Sequence, residues 1–554
     1  MDFKEKRKLD VDNLYRRLGR PGRFHIAIYL MLCCNYFPVV LNHLVMAMYG
    51  AKTSYVCDVP EDLLNATKLR YGQNSKTEVG RCEVTVTSVN GTNESATFSC
   101  PAGWKYNVLP GENNIITEWD LTCNDAYLSN LATTIYFCGV MLGGLIFGSL
   151  SDRWGRKPFM LLSLYMHIGV GIGIAFAPNY LMFAALRFLM GVLMQGLQTC
   201  SFVLIMEWFP PEHRTVVGTV FEIFWGTGVM WLALVSWLLQ NWRYIQLALT
   251  LPSILTIVYI WTIPESIRWL VANGKYKVAE SVLHVAAKFN NVSLPEDPFG
   301  VRKTEACQVL PDVCPQRYTV VDMFRTPKLR KRSIILFYVW LVTACNYYGL
   351  SLSITSLAGN KYLNFFIGGV VELPAYCAAV FILNKFGRQK PLCVYMLVGG
   401  VFCIAAGLVP TNFGGYDVPW LPTTLALIGR FGMAGCFSVV LLFTCELYPT
   451  VIRNVSMGAC AFWTRVGGVI APQIILLGKY VYADLPVIVF GTMALFAGML
   501  ALLLPETLNK NLPDTIEQAE NITDLAEFST EEGEELREMD QILRTEGQQN
   551  EVFI

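Results

Sequence analysis

The chain of 554 residues carries 43 basic and 43 acidic side chains, so its formal net charge is zero and nucleic-acid binding has no electrostatic support. It is 53% hydrophobic and only 16% charged, against roughly 25% charged residues in a typical soluble protein. Mean hydropathy is +0.41, and charge is excluded from long stretches and gathered between them, as in a chain threaded repeatedly through a bilayer.

The N-terminal segment is charged from Asp2 to Arg23 and shows no cleavable signal pattern. The first apolar run, 25–48, is too long for a signal h-region and reads as a spanning helix. Further runs of spanning length fall at about 128–150, 158–177, 181–206, 215–238 and 245–263, and then at about 333–353, 363–384, 390–409, 421–446, 457–477 and 483–504. Six runs, a polar interval and six more predict an all-α membrane protein of twelve transmembrane helices in two six-helix halves. The expected units are a cytoplasmic N-terminus (1–24), a first half (25–263), a cytoplasmic linker (264–332), a second half (333–504) and a cytoplasmic tail (505–554).

Basic residues set the orientation. Lys4, Lys6, Arg7, Lys8, Arg16, Arg17, Arg20 and Arg23 precede the first span, Arg153, Arg156 and Lys157 follow the second, and Lys328, Arg330, Lys331 and Arg332 precede the seventh. All lie on one side, which the positive-inside rule makes cytoplasmic, together with both termini. The loop at 51–126 then falls outside, with glycosylation sequons at Asn65, Asn90 and Asn93. Its Cys57, Cys82, Cys100 and Cys123 suggest two disulfides in any of three pairings. Sequons at Asn291, Asn454 and Asn521 fall inside and are expected to be silent. An amphipathic helix is expected over Tyr276 to Phe289. The acidic stretch from Asp514 through Glu551 reads as a solvated, largely disordered tail and a candidate for a cytoplasmic partner.

The sequence GSLSDRWGRK (148–157) follows a glycine-rich span and makes a tight turn into the next, with Asp152, Arg153, Arg156 and Lys157 at the membrane surface. A degraded copy, Asn384-Lys385-Phe386-Gly387-Arg388, recurs half a chain later, as in folds built by internal repetition. The five histidines are scattered without metal-ligand spacing, and no phosphate-binding loop is present. The expectation is therefore no enzyme, no metal and no cofactor, with transport driven by substrate or ion gradients.

GSLSDRWGRK, PESIRWL (264–270), ELYPTVIRN (446–454) and PETLNKNLPDTIEQAEN (505–521) together resemble signatures of the organic ion transporters, the solute carrier 22 family of the major facilitator superfamily. The resemblance implies polyspecific transport of small amphiphilic organic ions across the plasma membrane by alternating access between two halves. Asp152 and the neighbouring guanidinium groups are expected to pair across the seam between halves and with helix ends, latching the inner gate. Glu207 with Arg214, Glu265 with Arg268, and Glu446 with Arg453 read as similar gating or structural groups.

Substrate contacts are expected from ionisable residues within the spans, which are costly unless paired or used: Glu222, Glu372, Arg430 and Arg465. Arg465, in CAFWTRVGGVIAP (460–472), stands where cation-transporting members of the family resemble one another in having aspartate, and anion- and carnitine-type members have arginine. VELPAY (371–376) resembles the cation and carnitine members instead, with Tyr376 where anion exchangers carry lysine. Arg465 with Glu372 suits a zwitterion or a polar cation. Tyr347, Tyr348, Phe224, Trp225, Phe366, Phe437 and Trp463 are candidates for an aromatic lining that attracts ammonium groups. The favoured substrates are organic cations and carnitine-like zwitterions, in a protein otherwise surrounded by membrane lipid. The alternatives are an organic-anion exchanger, which EWFPPEHR (207–214) and Arg465 support, and a receptor with a transporter fold but no net flux.

Overall fold

Each apolar run must satisfy its own backbone in a bilayer, and helices do so within a single segment. The computed structural model describes residues 14–16, 18, 22–62, 76–87, 95–100, 102–294, 319–410, 412–413, 416–508, 510, 513 and 515–520. The first bundle comprises α1 (Arg23–Tyr49), α2 (Leu128–Trp154), α3 (Arg156–Ala175), α4 (Tyr180–Trp208), α5 (Pro211–Leu239) and α6 (Trp242–Thr262). The second comprises α7 (Pro327–Ser353), α8 (Lys361–Phe386), α9 (Gln389–Leu408), α10 (Trp420–Leu447), α11 (Arg453–Tyr480) and α12 (Leu485–Ala501). Among the described residues, eleven of these helices are long and apolar enough to cross a membrane, and α12 is a shorter apolar helix of 17 residues. Large apolar side chains such as Leu181, Leu255 and Phe381 are exposed on the outside, as a multi-pass membrane protein requires.

Within each bundle, glycines bring backbones into contact, which is how helices associate when no hydrophobic drive separates them from lipid. A Cβ on Gly139 of α2 would stand 2.1 Å from the Phe188 carbonyl oxygen of α4, and one on Gly432 of α10 would stand 2.7 Å from that of Tyr395 of α9. α1 is broken at Asn35 into Arg23–Cys34 and Tyr36–Leu44. Pro38 has no N–H to donate to Cys34, so the helical ladder lapses there, and Tyr36 begins the new segment.

One apolar core fills the first bundle and crosses to Tyr347, Tyr348 and Phe365 of the second, while another core lies wholly in the second. The two bundles present a face with the chain ends (the termini face) and a face with the long first loop (the loop face). Short helices at Ile267–Ala272 and Tyr276–Asn290 lie on the termini face between the bundles in sequence.

The first loop is not helical throughout. β1 (Ser54–Cys57) pairs antiparallel with β5 (Trp104–Asn107), and β2 (Lys76–Val79), β3 (Glu83–Thr87) and β4 (Ser95–Ser99) form a meander. Of the three cysteine pairings, the structure contains Cys57–Cys100 and Cys82–Cys123. Asn65, Asn90 and Asn93 lie outside the described residues.

The acidic tail, expected to be largely disordered, is ordered at its start. Ile516–Glu520 is a helical turn whose Glu520 carboxylate accepts from the backbone N–H of Lys328 (2.8 Å) and Leu329 (3.1 Å) at the start of α7. Burial opposes ionisation of Glu520, but these bonds, Thr326 and the nearby Arg332 outweigh it and hold the carboxyl below its ordinary range. Residues 521–554 lie outside the described residues.

Candidate functional site

The turn after α2 is built around Gly155, whose φ of 113° lies in the region that disfavours other residues. That turn starts α3 directly, and the Glu265 carboxylate caps it by accepting from the N–H of Arg156 (3.2 Å) and Lys157 (3.1 Å). The Arg156 guanidinium bonds to Asp152 at 2.9 Å and to Glu207, at the end of α4, at 3.0 Å. Arg268 donates to the Glu207 carbonyl, Trp269 to the Asp152 carbonyl and Lys157 to the Ile260 carbonyl. Arg153 is exposed and lies over the Trp154 ring.

The second bundle repeats this assembly. Gly387 has φ 86°, and the Glu506 carboxylate accepts from the N–H of Arg388 (2.9 Å) and Gln389 (3.1 Å). The Arg388 guanidinium meets Glu446, at the end of α10, at 2.8 Å, and Thr507 donates to the same carboxylate. Pro264-Glu265-Ser266 and Pro505-Glu506-Thr507 occupy equivalent places after α6 and α12.

These contacts correct the expected pairings. Glu207 binds Arg156, Glu265 caps α3, and Glu446 binds Arg388. Arg453 leaves its Nε and Nη2 without hydrogen bonds, and the side chain of Arg214 lies outside the described residues. Each cluster ties together helices of its own bundle, whereas the sequence suggested pairs across the seam. The physical reason is the cap: a helix N-terminus exposed by a glycine turn attracts the nearest carboxylate, which comes from the same bundle.

Contacts across the seam run from mid-depth to the loop face, and those at the loop face are polar. Gln473 of α11 donates to Thr134 of α2 at 2.7 Å, and Lys479 donates to the Ala126 carbonyl at 2.8 Å. Glu112 of the loop forms an ion pair with Lys361 at the start of α8. The loop segment around Glu112 is fixed to the first bundle, because Asn113 exchanges backbone bonds with Gln240 and Trp242, and Glu118 accepts from Arg243 and Trp242. Deeper, Gly226 of α5 and Gly369 of α8 meet backbone to backbone, and Phe137 and His43 pack on Tyr348.

At mid-depth the ionisable residues divide sharply. Glu372 and Arg430 form a buried ion pair at 2.6 Å, with exposures of 0% and 1%. Tyr347 (2.8 Å) and Tyr376 (3.4 Å) also donate to Glu372, and Trp225 reaches across the seam to donate to the Tyr347 hydroxyl at 2.5 Å. Glu372 is therefore bound up with Arg430, and the facing of Glu372 and Arg465 expected from the sequence is not what the helices produce.

Arg465 lies over Gly144 of α2, where a Cβ would stand 2.8 Å from its Nε. Its Nη1 bonds to the Ala461 carbonyl of its own helix and its Nε has no partner. Among the described residues it has no carboxylate, and its electrostatic neighbours are His43, Tyr348 and Tyr36. Glu222 accepts from Ser438 of α10 across the seam and likewise has no cationic partner among the described residues. Both residues are half-buried, and their contacts with Ser438 and Gly144 place them in the seam between the bundles.

The aromatic candidates separate in the same way. Trp225, Tyr347, Tyr348 and Phe437 surround the seam, Phe437 meeting Tyr347 edge-on at 5.4 Å, and Phe224 packs edge-on to Phe37 at 6.2 Å. Phe366 is exposed on a side of α8 turned away from Glu372. Trp463 stacks on Phe337 at 5.8 Å, inside the second bundle's own packing. Neither joins the seam. Sequence reading missed Tyr36, which accepts from Gln198 at 3.0 Å and packs on Phe221 at 3.8 Å between centroids; the proline two residues on was its signal. It also missed Arg187, fully buried in α4 over the Tyr136 ring, although a charge inside an apolar run was there to be read. Among the described residues, no group of three or more His, Cys, Asp or Glu side chains could hold a metal ion.

A family model described as the Major Facilitator Superfamily matches residues 122–472. The organic cation transporter protein of Drosophila melanogaster is 34% identical over 529 residues, covering 93% of this chain and 95% of that protein. Solute carrier family 22 member 6-A of Xenopus laevis is 33% identical, covering 92% and 93%. Organic anion transporter 3 of Pongo abelii is 34% identical, covering 91% and 92%. The solved structure of the xylose transporter XylE from E. coli in its inward open conformation aligns with a TM-score of 0.59 at 15% identity, over 88% of this chain and 98% of that one, which is a likeness of fold. With its two-bundle architecture, repeated glycine-turn clusters and full-length relatives, the chain belongs to the solute carrier 22 family of the major facilitator superfamily, and is an organic ion transporter, not an enzyme.

Proposed function

We propose that this chain is a plasma-membrane secondary carrier for small organic ions, with carnitine-like zwitterions preferred over simple cations. In this reading the termini face is cytoplasmic, the loop face is extracellular and glycosylated, and the units around 25–263 and 333–504 rock about the seam to expose the site alternately. The observation that carries the preference is the Arg465 guanidinium in the seam, which meets the Ala461 carbonyl of its own helix but no carboxylate among the described residues. A desolvated cation of this kind attracts a carboxylate and repels a bare ammonium ion. Tyr348 neighbours it, and Tyr347, Trp225 and Phe437 continue that ring cluster along the seam, where each ring–ammonium contact is worth about 0.5–2 kcal/mol.

Organic-anion exchange is the second reading, favoured because Glu372 is already neutralised by Arg430. Uptake of carnitine, tetraethylammonium and p-aminohippurate, measured in parallel with membrane potential and Na⁺ varied, separates the two. Carnitine uptake exceeding the others, and lost in Arg465→Ala, is the expected outcome. Dominant p-aminohippurate uptake selects the exchanger, and saturable binding with no flux in vesicles selects a receptor.

A further inference from the structure

We infer that Glu222, in place of Glu372, is the carboxylate that receives the cationic group of the transported ion, opposite Arg465 across the seam. The inference rests on the carrier reading and sharpens it. Of the carboxylates at mid-depth, Glu372 has its charge met by Arg430 and its lone pairs met by Tyr347 and Tyr376. Glu222 has one hydroxyl donor, Ser438, and no cation among the described residues. The ionisable groups facing it from neighbouring helices are Tyr36 on α1 and Glu372 and Tyr376 on α8. None offers a positive charge, and the Arg430 guanidinium is occupied by Glu372.

Depth and side put the two charges at one level, one on each bundle, each reaching into the seam. Glu222 follows Pro211 by 11 residues and Arg465 follows Arg453 by 12 residues, so each lies about 17 Å in from the termini face. Glu222 belongs to the first bundle and Arg465 to the second. Tyr36 is within electrostatic reach of both. An isolated charge at such depth is expensive, and two of opposite sign that fail to meet are expensive twice. A zwitterion whose ammonium faces Glu222 and whose carboxylate faces Arg465 neutralises both and bridges the two bundles. A simple cation leaves Arg465 uncompensated, and a simple anion leaves Glu222 so.

The rings around Glu222 suit an alkylated ammonium group. Tyr36, within electrostatic reach of Glu222, lies tilted against Phe221, and the Trp225 ring lies 5.5 Å from that of Tyr36. Such a group makes no N–H hydrogen bond, so it is held by charge and ring faces together.

The test uses the full-length chain in lipid nanodiscs, with direct binding of carnitine, tetraethylammonium and p-aminohippurate. Glu222→Gln should weaken carnitine and tetraethylammonium by about 10–100-fold and leave p-aminohippurate unchanged or tighter. Glu222→Asp, which keeps the charge, should restore carnitine binding to within a few-fold, and p-aminohippurate reports on folding in every variant. Unchanged carnitine and tetraethylammonium affinity in Glu222→Gln overturns the assignment while leaving the carrier reading intact. Equal loss of all three ligands also overturns it, since that marks a structural role. A wild-type protein that binds p-aminohippurate alone overturns both readings.

Discussion

Glu372 and Arg430 have a structural signature that separates them from the charges left open in the seam. Both are fully buried and every Glu372 oxygen is met. Removing one member of such a pair strands the other in low dielectric, at a cost of about 3–5 kcal/mol, whereas replacing both with apolar groups is often nearly neutral. Glu372→Gln should therefore lower the unfolding temperature of the detergent-purified protein sharply, and Glu372→Leu with Arg430→Met should recover most of the loss. Arg465→Gln, which strands no partner, should leave that temperature within a few degrees of wild type while reducing carnitine binding. The sequence shows that all these residues lie inside apolar runs, and it shows their depth through the helical rise. It does not show which one faces which, because pairing depends on the rotation of each helix and on which neighbours the glycines admit. That is why Glu372 was expected opposite Arg465 and is found against Arg430. Phe366 and Trp463 were misplaced for the same reason: membership of a spanning helix says nothing of the face.

At the scale of elements, the glycine-turn clusters are the clearest case of one solution used twice. Asn384 stands where the first bundle has Asp152, and this substitution made the second copy look degraded in sequence. The parts that do the joining are nevertheless all present: a positive-φ glycine, an arginine to the end of the next-but-one helix, and a carboxylate cap from beyond the bundle's last span. Arg388→Ala should therefore depress transport per surface-expressed molecule as strongly as Arg156→Ala. Asp152→Asn, which removes only one of the arms of Arg156 and one that is exposed, should do less than either and should slow turnover while sparing ligand affinity. A much milder effect of Arg388→Ala would show that the two bundles are not equivalent. The first loop adds a pH-dependent attachment. Burial raises the carboxyl of Glu118, but bonds from Arg243 and Trp242 outweigh it and hold it below the usual value. Its contribution is thus complete above the ordinary carboxylate range and is lost as pH falls through the depressed folded value. Hydrogen-exchange protection of residues 109–118, relative to the intrinsic rate at each pH, should hold from pH 7 to 5 and fall in stronger acid, and Glu118→Gln should show the weak protection at pH 7. Neither the β-strands of this loop nor its disulfide pairing was legible, since short polar strands leave no apolar period and four cysteines admit three pairings.

For the whole molecule, the arrangement of seam contacts defines a state and the way out of it. Cross-bundle hydrogen bonds lie at mid-depth and, with the Glu112–Lys361 ion pair, toward the loop face, while the glycine-turn clusters of the termini face bind only within their own bundles among the described residues. If the bundles move as bodies, release of substrate toward the loop face requires Thr134 to part from Gln473 and Glu112 from Lys361. Locking the first of these pairs should arrest the cycle without touching the ligand-binding residues. In the Thr134→Cys, Gln473→Cys protein, a short thiol-specific cross-linker should abolish uptake and leave carnitine binding from the termini face within about twofold of the untreated protein. Single-cysteine controls should keep their uptake, which also removes reaction at the native thiols as an explanation. The Glu112→Gln variant should act in the opposite sense. It weakens closure at the loop face, so a membrane-impermeant thiol reagent should label a cysteine at Thr134 faster from that side. Full uptake after verified cross-linking would mean that the loop-face seam does not open during transport, and the rocking of two bundles about Arg465 and Glu222 would have to be abandoned.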